Sequence, residues 1–296
     1  MAPAPRSYAS ADEDNARWQS FRFRPGDIVI STRSKHGTTW VQMICALLVF
    51  GSPELPEPLG CLSPWVDRLT EPQEALFARL DEQRHRRFLK THTPLDGLPI
   101  EPGVTYIVVA RHPLDAAVSL YHQAANIDRA RLRQLVGLPE PEMPAPPRPA
   151  LHDWLVEWIE DDPAPSESLD SLPGVMWHLT DAWARRAEPN IVLVRYDDLQ
   201  ADLAGTMREL ACRLGFAVDE AAWPALVDAA SFSQMSANAE ALLPDRNGIL
   251  RDPAAFFRRG TSGAASEVLS AAERARYEER VRQLAPAGVV DWLHRM

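Results

Sequence analysis

Cysteine is scarce in this 296-residue chain: Cys45, Cys61 and Cys212, with no CxxC pair. Cys45 and Cys212 sit in amphipathic patterns and read as reduced core residues. Long apolar runs are also missing. The longest, Trp40–Phe50, contains Gln42 and is too short to span a bilayer. A signal peptide is not recognisable, because MAPAPRSYASADEDN has no apolar stretch and turns acidic early. A basic excess is absent too. The net charge of −10 argues against a general nucleic-acid binder, which needs a cationic surface. It leaves room for a local basic pocket that holds a small anion. Together these absences lead us to expect a cytoplasmic protein with no transmembrane segment and no nucleic-acid partner.

Hydrophobic residues make up 46% of the chain, enough for a sizeable core. The first 20 residues or so read as a loosely attached tail, and residues 21–296 as one domain. Strands and helices then alternate. GDIVIST (26–32) is a buried-strand pattern, followed by a helix from about Thr38 to Phe50. RRFLKTH (86–92) and VTYIVVAR (104–111) are further strands, and Pro113 opens a helix through about Ala125. NIVLVRY (190–196) is a fourth strand, with a helix over 202–216 behind it. Strands separated by helices imply right-handed crossovers and a parallel sheet, hence a single α/β domain flanked by helices. The segment 137–150 is proline-rich and suits neither a regular helix nor a central strand. Residues 244–263 read as a locally basic loop, and a last helix starts near Ser270.

In open parallel sheets, ligands bind beyond the C-terminal ends of the strands. Three informative segments lie there. STRSKHGTTW (31–40) runs from a strand through a turn with Gly37 into a helix at Thr38. Backbone N–H groups, the helix dipole, Lys35, Thr38 and Thr39 can converge on one anion, although a plain capped βα turn would look similar. The lysine precedes the glycine, which is not the order of a Walker A loop. In ARHPLDAAVSLYH, Arg111 can clamp a phosphate or pair with Asp115, and Ser119 follows two turns into the helix. In LKTHTP, His92 beside Lys90 has the chemistry of a general base. His85, His122, His152, His178 and His294 read as structural.

In order, SKHGTTW, KTHTP, RHPLDAAVS, RYDDL, ASFSQM and RRGTSG resemble the motifs of the cytosolic-type sulfotransferases that use 3′-phosphoadenosine 5′-phosphosulfate (PAPS). The resemblance covers roughly residues 20–285. It implies a bacterial-type family member with a P-loop-like phosphosulfate-binding loop, using PAPS as donor and releasing adenosine 3′,5′-bisphosphate, with no metal required. Lys35 matches the lysine at the bridging oxygen, and Thr38 and Thr39 match 5′-phosphate ligands. Arg111 and Ser119 match 3′-phosphate ligands, with Arg258, Arg259 and Gly260 on a late loop closing over that group. Trp40, Phe232 and Tyr196 match residues around the adenine. His92 matches the catalytic base, and Lys90 an assisting lysine. The implied chemistry is an in-line displacement at sulfur, driven by positioning and electrostatics.

The match is not complete. His36, within the loop, stands where the family usually has serine. Ala230 replaces a threonine, and Ala265 and Ser266 replace a Trp-Lys pair. The family's C-terminal dimer motif is not recognisable around SEVLSAAERA, so its usual dimer does not follow. The acceptor is expected to be a hydroxyl of a small molecule, glycolipid or natural product. Acceptor loops fall at Pro53–Leu69, 137–150, the Trp154/Trp158 helix and Ala237–Ile249, where aromatics and leucines suggest an apolar acceptor. The competing classes are a P-loop kinase, which would need Mg²⁺ and ATP, and a non-catalytic nucleotide-binding protein.

Overall fold

The computed structural model describes residues 4–143, 146–242 and 247–295. Four parallel strands form its sheet: β1 (Ile28–Ser31), β2 (Phe88–Thr91), β3 (Thr105–Ala110) and β4 (Ile191–Arg195), in the order β2-β1-β3-β4. All four fall inside the segments read as strands. TYIVVA in β3 is nearly continuously apolar because both faces of a central parallel strand are covered.

Successive residues divide between those faces. Val29, Leu89, Tyr106 and Val108 pack with the helices Pro113–Asn126, Leu151–Glu160, Leu172–Ala184 and Ala271–Leu284. Ile28, Ile30, Phe88, Ile107 and Val109 pack with Thr38–Phe50 and Leu203–Leu214. From β1 the chain crosses to one side, to β2, and then returns to place β3 on the other side. The loops leaving β1 and β3 therefore diverge, and the crevice between them is the switch point where ligands bind in such sheets.

Two expectations change. The described part of the N-terminal segment is packed, not loose: Tyr8, Asn15 and Trp18 are buried. Asn15 donates to the Arg6 and Gly97 carbonyls, each at 2.8 Å, and Arg17 donates to the Arg68 and Glu71 carbonyls at 2.5 and 2.7 Å. Trp18 stacks on Phe23 with ring centroids 5.7 Å apart. Bonds from side chains to distant carbonyls leave no periodic trace, so the segment reads as a tail. The second change is Cys212, which is exposed, whereas Cys45 and Cys61 are buried. It lies on the outer face of the helix Leu203–Leu214.

The described residues of the proline-rich segment form no helix or strand before the helix at Leu151, and Tyr121 Oη donates to the Pro149 carbonyl at 2.8 Å. Residues 144–145, within that loop, and 243–246, within the Ala237–Ile249 segment and the basic loop, lie outside the described residues. Among the described residues no helix is long and apolar enough to cross a membrane.

Replacing the 1% exposed Trp18 by alanine should cost about 3–5 kcal/mol, as expected for a buried large aromatic. Chemical denaturation measures this; a loose tail would give no loss.

Candidate functional site at the strand ends

The loop from Thr32 to Gly37 makes the turn into the helix with two left-handed residues, Lys35 at φ 66° and Gly37 at φ 104°. Lys35 is the one described non-glycine residue with positive φ. Gly37 is required twice over, since a Cβ there would come 2.9 Å from Cδ2 of Tyr196. As the N-cap of Thr38–Phe50, Gly37 gives no side-chain cap, so the first N–H groups of the helix stay available to an anion. Buried Thr38 is hydrogen-bonded to Thr32 through the two hydroxyls, and Thr39 is half-buried beside it.

Lys35 Nζ lies 3.8 Å from the Phe256 ring centroid and donates to Gln123 Oε1 at 3.3 Å. Gln123 is one turn beyond the half-buried Ser119 and shares its helix face. Arg111 is 8% exposed and reaches from β3 to the Lys35 carbonyl at 3.3 Å and the Thr261 carbonyl at 3.3 Å. Its guanidinium lies 4.4 Å from the Tyr196 ring centroid, and its Nε has no partner among the described residues. Nε of Arg258 is likewise buried without one. Asp115 does not pair with Arg111. It accepts instead from the Gly263 N–H at 2.9 Å and the Ala264 N–H at 3.0 Å, tying the late loop to the helix. That bond anchors the loop where Ala265 and Ser266 depart from the family pattern.

The aromatic residues also gather. Trp40 meets Tyr196 edge-on at 5.1 Å and donates from Nε1 to the Ala230 carbonyl at 2.8 Å. Gly260, at φ 64°, presses against Phe232 so closely that a Cβ would sit 2.5 Å from the ring. Arg259 is not brought in; it is exposed and paired with Glu267 at 3.1 Å. His36 is buried, with Nδ1 3.0 Å from the Ser34 carbonyl and Nε2 without a partner among the described residues. Burial pushes it down to about 4, so it is neutral at neutral pH.

His92, at the end of β2, is 5% exposed. Its Nδ1 bonds the Thr32 carbonyl, and a carbonyl only accepts, so Nδ1 carries the proton. Burial, then Lys90 and Arg33, hold its pKa well below the usual histidine value. The ring is therefore neutral and Nε2 offers its lone pair, as a general base requires. Trp65 stands edge-on to His92 at 4.5 Å, and Lys90 Nζ lies 3.8 Å from the Trp65 ring centroid.

Both lysines are depressed. Burial, followed by Arg111, Lys90 and Arg258, lowers Lys35 to about 7. Burial and then Arg68 lower Lys90 to about 7, with Glu13 and Asp67 opposing. The residues that hold the His92 segment in place carry no mark in the sequence. Buried Arg33 donates to the His92 and Leu169 carbonyls and pairs with Asp170 at 2.6 Å. Asp67 accepts from Thr91 and Thr93, the residues flanking His92, at 2.5 and 2.6 Å. One signal in the sequence could have drawn attention to the site as a whole: Lys35 and Lys90 are the only lysines in the chain. Among the described residues no cluster of histidine, cysteine and carboxylate side chains could hold a metal.

Residues 25–286 match the sulfotransferase domain model. The glycolipid sulfotransferase of Mycobacterium tuberculosis is 40% identical over 304 residues, 97% of this chain and 93% of that protein. Human sulfotransferase 2B1 is 26% identical over 255 residues, 81% of this chain and 60% of that protein. A mouse sulfotransferase complexed with PAP shares the fold at TM-score 0.68 and 18% identity, over 95% of this chain and 94% of that one. Retinol dehydratase in a complex with retinol and PAP superposes at TM-score 0.69 and 21% identity, over 91% and 84%. This chain belongs to the sulfotransferase family, and it is an enzyme of sulfuryl transfer.

An anion bound between Lys35 and Arg111 raises the affinity of Lys35 for its proton, because opposite charge favours the charged form. With the free group near 7, binding of adenosine 3′,5′-bisphosphate at pH 8 should take up protons. Affinity should then fall as pH rises above 7. Calorimetry in buffers of different ionisation enthalpy reads the uptake; identical heats in all buffers would contradict it.

Proposed function

We propose that this enzyme moves a sulfuryl group from PAPS to a hydroxyl of a lipid-like acceptor carrying a sugar, by in-line displacement. The observation that carries the reading is the neutral His92, its Nε2 without a partner among the described residues, near two depressed lysines and an Arg111 that no described carboxylate pairs. The residues suit such a donor. Buried Nε atoms on Arg111 and Arg258, without a partner among the described residues, need acceptors, and glycine at 37 and 260 lets Tyr196 and Phe232 pack close against the two loops. The donor supplies a sulfuryl group on a phosphate that is already a good leaving group.

In this reading the N–H groups after Gly37, with Thr38 and Thr39, hold the 5′-phosphate. Lys35 reaches the bridging oxygen and steadies the charge that grows there. Arg111, Ser119 and Arg258 hold the 3′-phosphate, which separates this donor from ATP. Trp40, Tyr196 and Phe232 flank the adenine. His92 Nε2 takes the proton of the acceptor hydroxyl as its oxygen attacks. Lys90, on the acceptor side, orients the transferred group. Supporting the acceptor class is the 40% identity to a glycolipid sulfotransferase over almost the whole chain.

Adenosine 3′,5′-bisphosphate without Mg²⁺ should raise the melting temperature, since a ligand at 100 times its Kd stabilises by about 2.7 kcal/mol. A shift seen only with ATP and Mg²⁺ would instead indicate a kinase-type site. His92→Ala should lower kcat roughly a hundredfold or more in steady-state transfer assays while bisphosphate binding persists. Near-normal turnover in that variant would remove His92 as the base.

A further inference from the structure

Beyond His92 and Lys90 the sheet edge continues in an irregular way. Trp65 bridges in parallel to Lys90, and Glu13 bridges antiparallel to Arg68. The Asp14 N–H donates to the Asp67 carbonyl at 2.8 Å, and the Leu69 N–H to the Asp12 carbonyl at 2.8 Å. In this way the N-terminal segment is laid against the catalytic loop on the side away from Lys35 and Arg111. Sequence reading expected an apolar wall on the acceptor side; the groups found here are carboxyls.

Asp67 is 1% exposed. One of its oxygens accepts from Thr91 and Thr93, but Oδ1 is buried with no partner among the described residues. A buried acceptor left without a hydrogen bond is costly, and this one lies beside the two threonines that flank His92. The Glu13 side chain is half-buried and makes no hydrogen bond or ion pair to a described residue. Burial, then Asp67, raise Glu13, with Arg33 opposing, which favours the protonated carboxyl, a form that both donates and accepts.

Hydroxyls donate and accept in the same way. A sugar ring presents several of them around the one that reacts, whereas a monohydric apolar alcohol presents none and would bury both carboxyls unmet. We infer that Glu13 and Asp67 are specificity-determining residues, which recognise the hydroxyls neighbouring the sulfated one and select a polyhydroxylated, sugar-type head group. The inference rests on the reading that a hydroxyl is the acceptor, and assigns the head group within it.

The test compares n-octyl β-D-glucopyranoside with 1-octanol as acceptors for the full chain with PAPS. The wild-type enzyme should prefer the glucoside in kcat/KM. Glu13→Leu should lower the ratio of the two kcat/KM values by about tenfold or more, since a hydrogen-bonding site discriminates strongly when its bonds go unmade. Glu13→Gln, which keeps a donor and an acceptor, should retain most of the ratio. Asp67→Asn keeps an oxygen for the two threonines but offers a donor in place of Oδ1, and should lower the ratio as Glu13→Leu does. It serves if Glu13→Leu does not fold, with bisphosphate binding as the check on folding. A wild-type preference for octanol, or a ratio that neither variant moves, overturns the assignment. Transfer to neither probe by a protein that binds the bisphosphate overturns the underlying hydroxyl-acceptor reading, and the assignment falls with it.

Discussion

Like-charge crowding at the switch point of the sheet is the constraint around which this molecule is arranged. Lys35, Lys90, Arg111 and Arg258 influence one another across a buried crevice, and none forms an ion pair with a carboxylate among the described residues. Carboxylates on the Arg111 and Arg33 side are committed elsewhere. Asp115 is occupied by the late loop, and Asp170 by Arg33. Asp197 accepts from Ser262 at 2.8 Å. The crevice thus keeps its positive potential, which a multiply charged anion relieves. Preorganised charge of this kind needs no rearrangement when substrate arrives.

The scaffold around this crevice is a set of bonds between loops. Arg33 ties the β1 loop to the His92 carbonyl and to Asp170, which joins the loop after β1 to the end of β2. Thr32 does the same through its carbonyl and hydroxyl, touching His92 with one and Thr38 with the other. On the far side, Asp67 gathers the threonines on either flank of His92. His92 and its flanking backbone are therefore held from three directions, with the ring's tautomer set at Nδ1.

Much of this was readable from residue pattern, and the limits are physical. β1 to β4 and the helices at Thr38 and Pro113 have apolar periodicity and proline or glycine punctuation, which are local properties. Lys35, His92 and Arg111 follow from strand ends, because the parallel topology forces those ends together. Arg33, Asp67, Gln123 and Glu13 carry no such mark: each is defined by what it meets in space. Arg33 meets a carbonyl 59 residues away, and Gln123 a lysine 88 away. The N-terminal segment is the largest case, held by Asn15 and Arg17 through carbonyls that any sequence possesses. Arg259 errs the other way, since its motif position matches while its side chain finds Glu267 outside the crevice.

The confinement of lysine to Lys35 and Lys90 has a consequence for the chemistry of the whole surface. Arginine stays protonated and is a poor nucleophile, so the many arginines of the exterior add no reactive amine. The two amines lowered to about 7 are partly unprotonated at neutral pH, and so are reactive. Apart from the α-amino group, every primary amine of the chain lies in the crevice. Apart from that group, an amine-directed reagent reports on the crevice at the strand ends.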